Sequence, residues 1–96
     1  GTANKERAIK AFKIIQSDQN VKSVFINIFG GIIHCDMIAN GIIDAIKELD
    51  FKLPVVVRFQ GTNSQEGRDI INNSSLGLIS IDDFSSAAQK AVELSE

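Results

Sequence analysis

The chain has 96 residues, of which 44% are hydrophobic and 23% charged, a composition that favours one small globular domain over a disordered segment. A formal net charge of -2 argues against a nucleic-acid partner, because proteins that bind nucleic acids contact the phosphates through an excess of Lys and Arg. No apolar run is long enough to span a membrane, so no membrane partner is expected, and the single cysteine excludes a disulfide within the chain.

The first half of the chain alternates between helical and strand patterns. Apolar residues recur at three- and four-residue spacing over residues 4–17, which predicts a helix. The β-branched and aromatic run at residues 24–29 is typical of a strand that is buried on both faces. The helical period returns at residues 35–49, where Asp36 is expected to be a cap or a first-turn carboxylate.

The second half repeats this alternation. Residues 54–59 predict a second strand, and Ser64 is expected to cap a helix over residues 65–73. A short third strand is predicted at residues 76–81. The chain then ends in a helix that Asp82 is expected to cap.

This order of elements predicts an α/β fold with a parallel sheet and flanking helices. Three strands make a small parallel sheet, and the chain begins with a helix that follows no strand. We therefore expect the fold to be truncated at its amino terminus, which would leave the strand at residues 24–29 with an unpaired edge. Such an edge predicts self-association through strand pairing.

Two turns lie where predicted strands end, which is where parallel sheets bind ligands. At residues 30–35, two adjacent glycines let a ligand approach the backbone, and the next helix points its free amides at the same space. The pattern predicts an anion site built from backbone at Gly30–Ile33. The alternative is that the glycines only form the turn. The second turn, at residues 60–64, is the weaker candidate.

The reactive side chains near these turns favour structural roles. His34 and Cys35 are adjacent in sequence, so they rarely face each other as a base and a nucleophile, and they are too few for a zinc site. His34 is expected to be a polar residue beside the anion, and Cys35 to pack the start of the helix. Arg58 lies in an apolar strand, where a structural or interface salt bridge is the expected role.

Several segments resemble the carboxy-terminal region of succinyl-CoA synthetase beta subunits. Asn27–Ile33, followed by Cys35-Asp36, is similar to the most characteristic motif of that family in this region. Residues 2–15 and 54–63 match the family in order and spacing, so the resemblance covers essentially the whole chain. It implies a flavodoxin-like fold in which residues 1–96 are the carboxy-terminal part of the CoA-ligase domain, with the ATP-grasp nucleotide domain absent.

The resemblance also implies a function. The family couples reversible cleavage of succinyl-CoA to formation of ATP or GTP in the tricarboxylic acid cycle, through a phosphohistidine of the alpha subunit. Succinate or phosphate would meet the amides of Gly31, Ile32 and Ile33 at the heterodimer interface, and further candidates for this site are Gly30, Asn27 and His34. Many family members have Arg in place of His34.

The same resemblance places the other groups outside this chain. Nucleotide and Mg²⁺ would bind in the absent domain and CoA on the alpha subunit, so this chain is expected to hold no catalytic side chain, cofactor or metal and to be inactive alone. The implied compartment is the mitochondrial matrix in a eukaryote and the cytoplasm otherwise. Two alternatives stay open: the related segment of another acid–thiol ligase or ATP-citrate lyase, and an interaction or dimerisation module without chemistry of its own.

Overall fold

The computed structural model describes residues 2–96. For residues 2, 3 and 31 it describes the secondary structure but not the burial. Helices and strands alternate along the described residues. In chain order they are α1 (Thr2–Gln16), β1 (Val24–His34), α2 (Cys35–Leu49), β2 (Val55–Thr62), α3 (Ser64–Asn72), β3 (Leu78–Ser80) and α4 (Phe84–Ser95). The strands form a parallel sheet in the order β1-β2-β3, which confirms the predicted α/β class with flanking helices.

The central strand, β2, organises the core. Val55, Val57 and Phe59 are at most 1% exposed and belong to one apolar cluster with α1, α2 and α3. Val56 is fully buried too, but it packs against Ala87 and Ala91 of α4 on the opposite face. Because side chains alternate along a strand, this single apolar run serves both faces of the sheet.

The first strand, β1, lies at the edge of the sheet, and the expectation that residues 24–29 are buried on both faces is wrong. Among the described residues of β1 only Val24 is buried, and Phe29 is 65% exposed. The cause is the strand's position: within the described part of the chain only β2 pairs with β1. An apolar run indicates a strand whose side chains favour burial, but it does not show which other element buries them.

The first helix, α1, packs on α2 and reaches over β1. Phe12 is 2% exposed, and its ring centroid lies 4.7 Å from that of Phe51. Between α1 and the edge of the sheet runs an apolar cleft of about 300 Å³, whose lining includes Ala8, Ala11, Ile15, Ile26 and Ile28. None of the helices among the described residues is long and apolar enough to cross a bilayer.

Two predicted helix caps are wrong by one residue. Asp83, not Asp82, caps α4, and its carboxylate accepts a hydrogen bond of 2.9 Å from the amide of Ser86. Ser64 is the first residue of α3, and the cap position belongs to Asn63, whose φ of 59° is left-handed. In both places two neighbouring residues suit a cap, and only the path of the backbone selects one of them.

Candidate functional site

The carboxyl ends of β1 and β2 meet at a pair of glycines. Gly30 is the register partner of Gly61, and their φ angles are 146° and 153°. A Cβ atom added to Gly61 would lie 2.6 Å from the carbonyl oxygen of Gly30. Only glycine at this position lets the two backbones approach so closely.

Beyond this pair, β1 continues instead of ending. Its pairing with β2 resumes at His34, which faces Thr62, the residue directly after Gly61. The residues between Gly30 and His34 therefore leave the ladder as a bulge, which we call the 31–33 bulge. The prediction that the two glycines end the strand is wrong, because β2 extends to Thr62 and gives His34 a partner.

The 31–33 bulge is attached to the core on one side and open to solvent on the other. Ile33 packs against the apolar cluster, and its Cδ1 lies 2.9 Å from the position of a Cβ on Gly30. Ile32 is 92% exposed. His34 is exposed at the cap position of α2 and makes no capping hydrogen bond with its side chain. The predicted contact of Gly31 lies outside the described residues.

The start of α2 carries its own carboxylate, as predicted for Asp36. Oδ1 of Asp36 accepts a hydrogen bond of 3.0 Å from Nδ2 of Asn63, at the cap position of α3. This bond, with smaller contributions from the amides of Met37 and Asp36 and from the charge of His34, lowers the pKa of Asp36 from its ordinary value. An anion at the first turn of α2 would compete with Asp36, whereas the 31–33 bulge carries a separate set of amides upstream.

Cys35 takes the packing role that the sequence predicts. Its side chain is fully buried at the first position of α2, against α3. Burial, followed by the negative charge of Asp36, raises the pKa of the thiol. The helix terminus therefore does not activate this cysteine as a nucleophile.

Within this chain, Arg58 makes a different set of bonds from the expected structural salt bridge, and an interface salt bridge stays a prediction. Its guanidinium donates to the carbonyl oxygen of Asp82 (3.0 Å), to Oδ1 of Asn27 (3.1 Å) and to Oε1 of Gln60 (3.3 Å). It also lies 5.6 Å from the centre of the Phe84 ring. Among the described residues no carboxylate forms an ion pair with Arg58, and three neutral oxygens accept hydrogen bonds from this half-buried guanidinium. Nothing in the local sequence predicts the contact with Asn27.

The family of the chain follows from comparison with known proteins. The CoA-ligase family model matches residues 1–92. The chain belongs to the CoA-ligase family. The succinate–CoA ligase [ADP-forming] beta subunits of Colwellia psychrerythraea and Alteromonas mediterranea are 56% and 55% identical to it over 96 residues. Each match covers 100% of this chain and 25% of the relative, so this CoA-ligase chain spans about a quarter of the length of those curated proteins. The resemblance to the beta-subunit family is confirmed.

A solved structure shares the fold of this CoA-ligase chain. ATP citrate lyase from Methanothrix soehngenii, in complex with citrate and coenzyme A, superposes with a TM-score of 0.74 over 94% of this chain and 26% of that one. The sequence identity is 16%, so this likeness shows the fold alone.

Proposed function

We propose that this CoA-ligase chain is the carboxy-terminal part of the ligase domain of a succinate–CoA ligase beta subunit. The support is identity of 53–56% with curated relatives of that name over the whole chain. The complete enzyme would couple reversible cleavage of succinyl-CoA to formation of ATP or GTP, through a phosphohistidine on an alpha subunit. This chain would supply part of the anion-binding site and no catalytic side chain.

The observation that carries the proposed role is the 31–33 bulge. It leaves the ladder at the carboxyl end of a parallel sheet, immediately before α2 begins at Cys35. That position combines backbone donors with the positive end of a helix dipole. The amides of Gly31, Ile32 and Ile33 would bind succinate or phosphate, with Gly30 and His34 beside them.

The packing of the bulge suits this task. Ile33 is partly buried against the apolar cluster, which would hold the peptide groups before α2 so that their dipoles need little reorganisation when charge develops on a phosphoryl group. Such preorganised electrostatic stabilisation is the main contribution that a protein makes to phosphoryl transfer.

The surroundings of the bulge suit a protein partner. Phe29 is 65% exposed, Ile32 92% and Met37 45%, and all three lie between residues 29 and 37, the segment that includes the bulge and the first turn of α2. Exposed apolar side chains favour an interaction site where they form one surface patch. The alpha subunit would cover them and bring its phosphohistidine to the amides.

The remaining ligands would bind elsewhere. Nucleotide and Mg²⁺ would belong to an ATP-grasp domain and CoA to the alpha subunit. The described residues bring together no group of three or more His, Cys, Asp and Glu that could hold a metal ion. The compartment would be the mitochondrial matrix in a eukaryote and the cytoplasm otherwise.

A second candidate function is an interaction module without chemistry of its own. The exposed edge of β1 and the apolar cleft beside it favour this candidate, because both are surfaces that a second polypeptide could cover. This candidate predicts assembly without any contribution from the amides of the bulge.

A proline substitution tests the amide role directly. Ile32→Pro removes one N–H of the bulge, and Ile32→Ala keeps that N–H while removing the same exposed side chain. Both changes are made in a full-length beta subunit that is assembled with its alpha subunit. We expect phosphorylation of the alpha subunit to be on the order of 100-fold slower with Ile32→Pro than with Ile32→Ala, as for the loss of one oxyanion donor.

Equal phosphorylation rates for these two variants, in complexes that assemble equally well, would contradict the amide role and favour the interaction module. Size-exclusion chromatography of each complex provides the assembly control.

A further inference from the structure

One guanidinium joins three segments at the carboxyl end of the sheet. Arg58 of β2 donates to Oδ1 of Asn27 on β1, to Oε1 of Gln60 on its own strand and to the carbonyl oxygen of Asp82 in the turn before α4. The ring of Phe84, at the start of α4, lies 5.6 Å away. A planar guanidinium can serve all of these neighbours at once, which an ammonium group cannot do in the same geometry.

The bond to Asn27 lies just before the point where the 31–33 bulge begins. Asn27 and Arg58 are register partners, and three residues further along the same ladder Gly30 faces Gly61. The edge strand β1 has only β2 to define its register within the described part of the chain. The side-chain bond between Asn27 and Arg58 is a further link between β1 and β2. It lies just before the residues at which the pairing register of the two strands changes.

We propose that Arg58 is a positioning residue for the 31–33 bulge. By holding Asn27, it fixes the carboxyl end of β1 and therefore the place at which the amides of the bulge meet an anion. In this role Arg58 acts through β1, since three of its five N–H donors are already directed at the three oxygens described above. This inference rests on the proposed function of the bulge.

Arg68 offers a matched control. It donates to Oδ1 of the same Asp82 (3.1 Å) and to Oε1 of Gln65 (2.6 Å), and its side chain is only 19% exposed. The hydrogen bonds of Arg68 join α3 to the turn before α4 and do not include β1. Loss of Arg68 therefore removes a largely buried guanidinium at the same turn and leaves Asn27 with its partner.

The test compares four changes in a full-length beta subunit assembled with its alpha subunit: Arg58→Gln, Asn27→Ala, the double variant and Arg68→Gln. The measurements are KM for inorganic phosphate, kcat and the melting temperature of each complex. We expect the two single changes at the Arg58–Asn27 pair each to lower kcat/KM for phosphate about tenfold, the scale of a small displacement of binding groups. The double variant should lose no more than either single one, because both remove the same contact.

Arg68→Gln is expected to lower the melting temperature while KM for phosphate stays within about twofold of the parent value, because its bonds do not reach β1. Arg58→Lys keeps the charge and one donor direction, so it should give an intermediate KM. It also serves as the second variant if Arg58→Gln does not assemble.

Three results would overturn the role of Arg58. They are a lower melting temperature for Arg58→Gln with unchanged KM and kcat, losses that multiply in the double variant, and an equal loss of kcat/KM in Arg68→Gln. If Ile32→Pro slows phosphorylation while Arg58→Gln does not, the positioning role fails and the proposed function stands. If Ile32→Pro is as active as Ile32→Ala, both fail.

Discussion

At the residue scale, glycine sets how closely β1 and β2 approach next to the candidate site. Gly61 has a φ of 153°, and a Cβ there would meet a backbone oxygen at 2.6 Å. Neither atom lies at the end of a flexible side chain, so the contact could be relieved only by moving a strand. The strain of the backbone conformation and the collision of a Cβ atom with the neighbouring strand are two different costs. Two substitutions can distinguish them.

We predict that Gly61→Ala destabilises the chain more than Gly77→Ala. Gly77 also has a positive φ, 79°, but a Cβ there would meet no heavy atom within 4 Å. Gly77→Ala should therefore cost only the conformational strain, on the order of 1–3 kcal/mol, whereas Gly61→Ala adds the collision with β1. Urea unfolding of both variants measures the difference, and equal losses would show that β1 moves away without cost.

The residues around the bulge show which part of the site the sequence could predict. The glycine turn after the apolar run of β1 and the carboxylate of Asp36 at the next helix start were predictable, because each has a local conformational or electrostatic reason. The bulge was not visible, because it depends on Thr62 of β2 pairing with His34. The Arg58–Asn27 bond was missed for the same reason: its partners are 31 positions apart in sequence.

At the element scale, one hydrogen bond links the amino-terminal ends of α2 and α3. Nδ2 of Asn63 donates to Asp36, and this bond is the largest cause of the lowered pKa of that carboxyl. A folded pKa below the unfolded value means that the bond contributes stability above the ordinary aspartate pKa of about 3.9, and that this contribution is lost as the pH falls through the folded pKa.

We predict that Asn63→Gly removes part of this pH dependence. Glycine keeps the left-handed backbone that Asn63 adopts at a φ of 59° and deletes only the amide side chain. The stability difference between parent and variant should be constant near about pH 6 and shrink below about pH 4. Unfolding curves across that range measure it, and a difference that does not change with pH would mean that Asp36 is not the group involved.

The order of the elements was predictable from the sequence, but the burial of each strand was not. The apolar stripe at residues 35–49 coincides with the bounds of α2, because a long pattern with the helical period fits a helix and no other element. The burial of β1 was predicted wrongly, because Val24–Phe29 has the composition of a central strand and lies at an edge. The composition of a strand indicates how much apolar surface it has to bury. The place of the strand in the sheet depends on all the other strands.

At the scale of the whole molecule, the edge of β1 is the surface most suited to association. Its outer hydrogen-bonding groups have no strand partner within the described residues, and the apolar cleft under α1 runs beside it. Unpaired edges with apolar side chains promote pairing with another chain unless charge prevents it.

We predict that the isolated chain self-associates in a concentration-dependent way and that Phe29→Lys weakens this association. Phe29 is a 65% exposed residue of the edge strand, and a lysine there discourages strand pairing. Val92→Lys, at a 60% exposed position on α4, is the matched control and should associate like the parent chain. Sedimentation velocity distinguishes these cases, and a parent chain that stays monomeric at high concentration would contradict the prediction.

The complete burial of Cys35 also supplies a natural probe of motion. An alkylating reagent can reach this sulfur only when α2 and α3 separate, since Gly67 of α3 packs directly against Cys35. As the chain has one cysteine, the labelled fraction measured over time by mass reports the frequency of those openings without any engineered tag. The labelling rate of this chain, measured with and without phosphate, would therefore report how often α2 and α3 open behind the bulge.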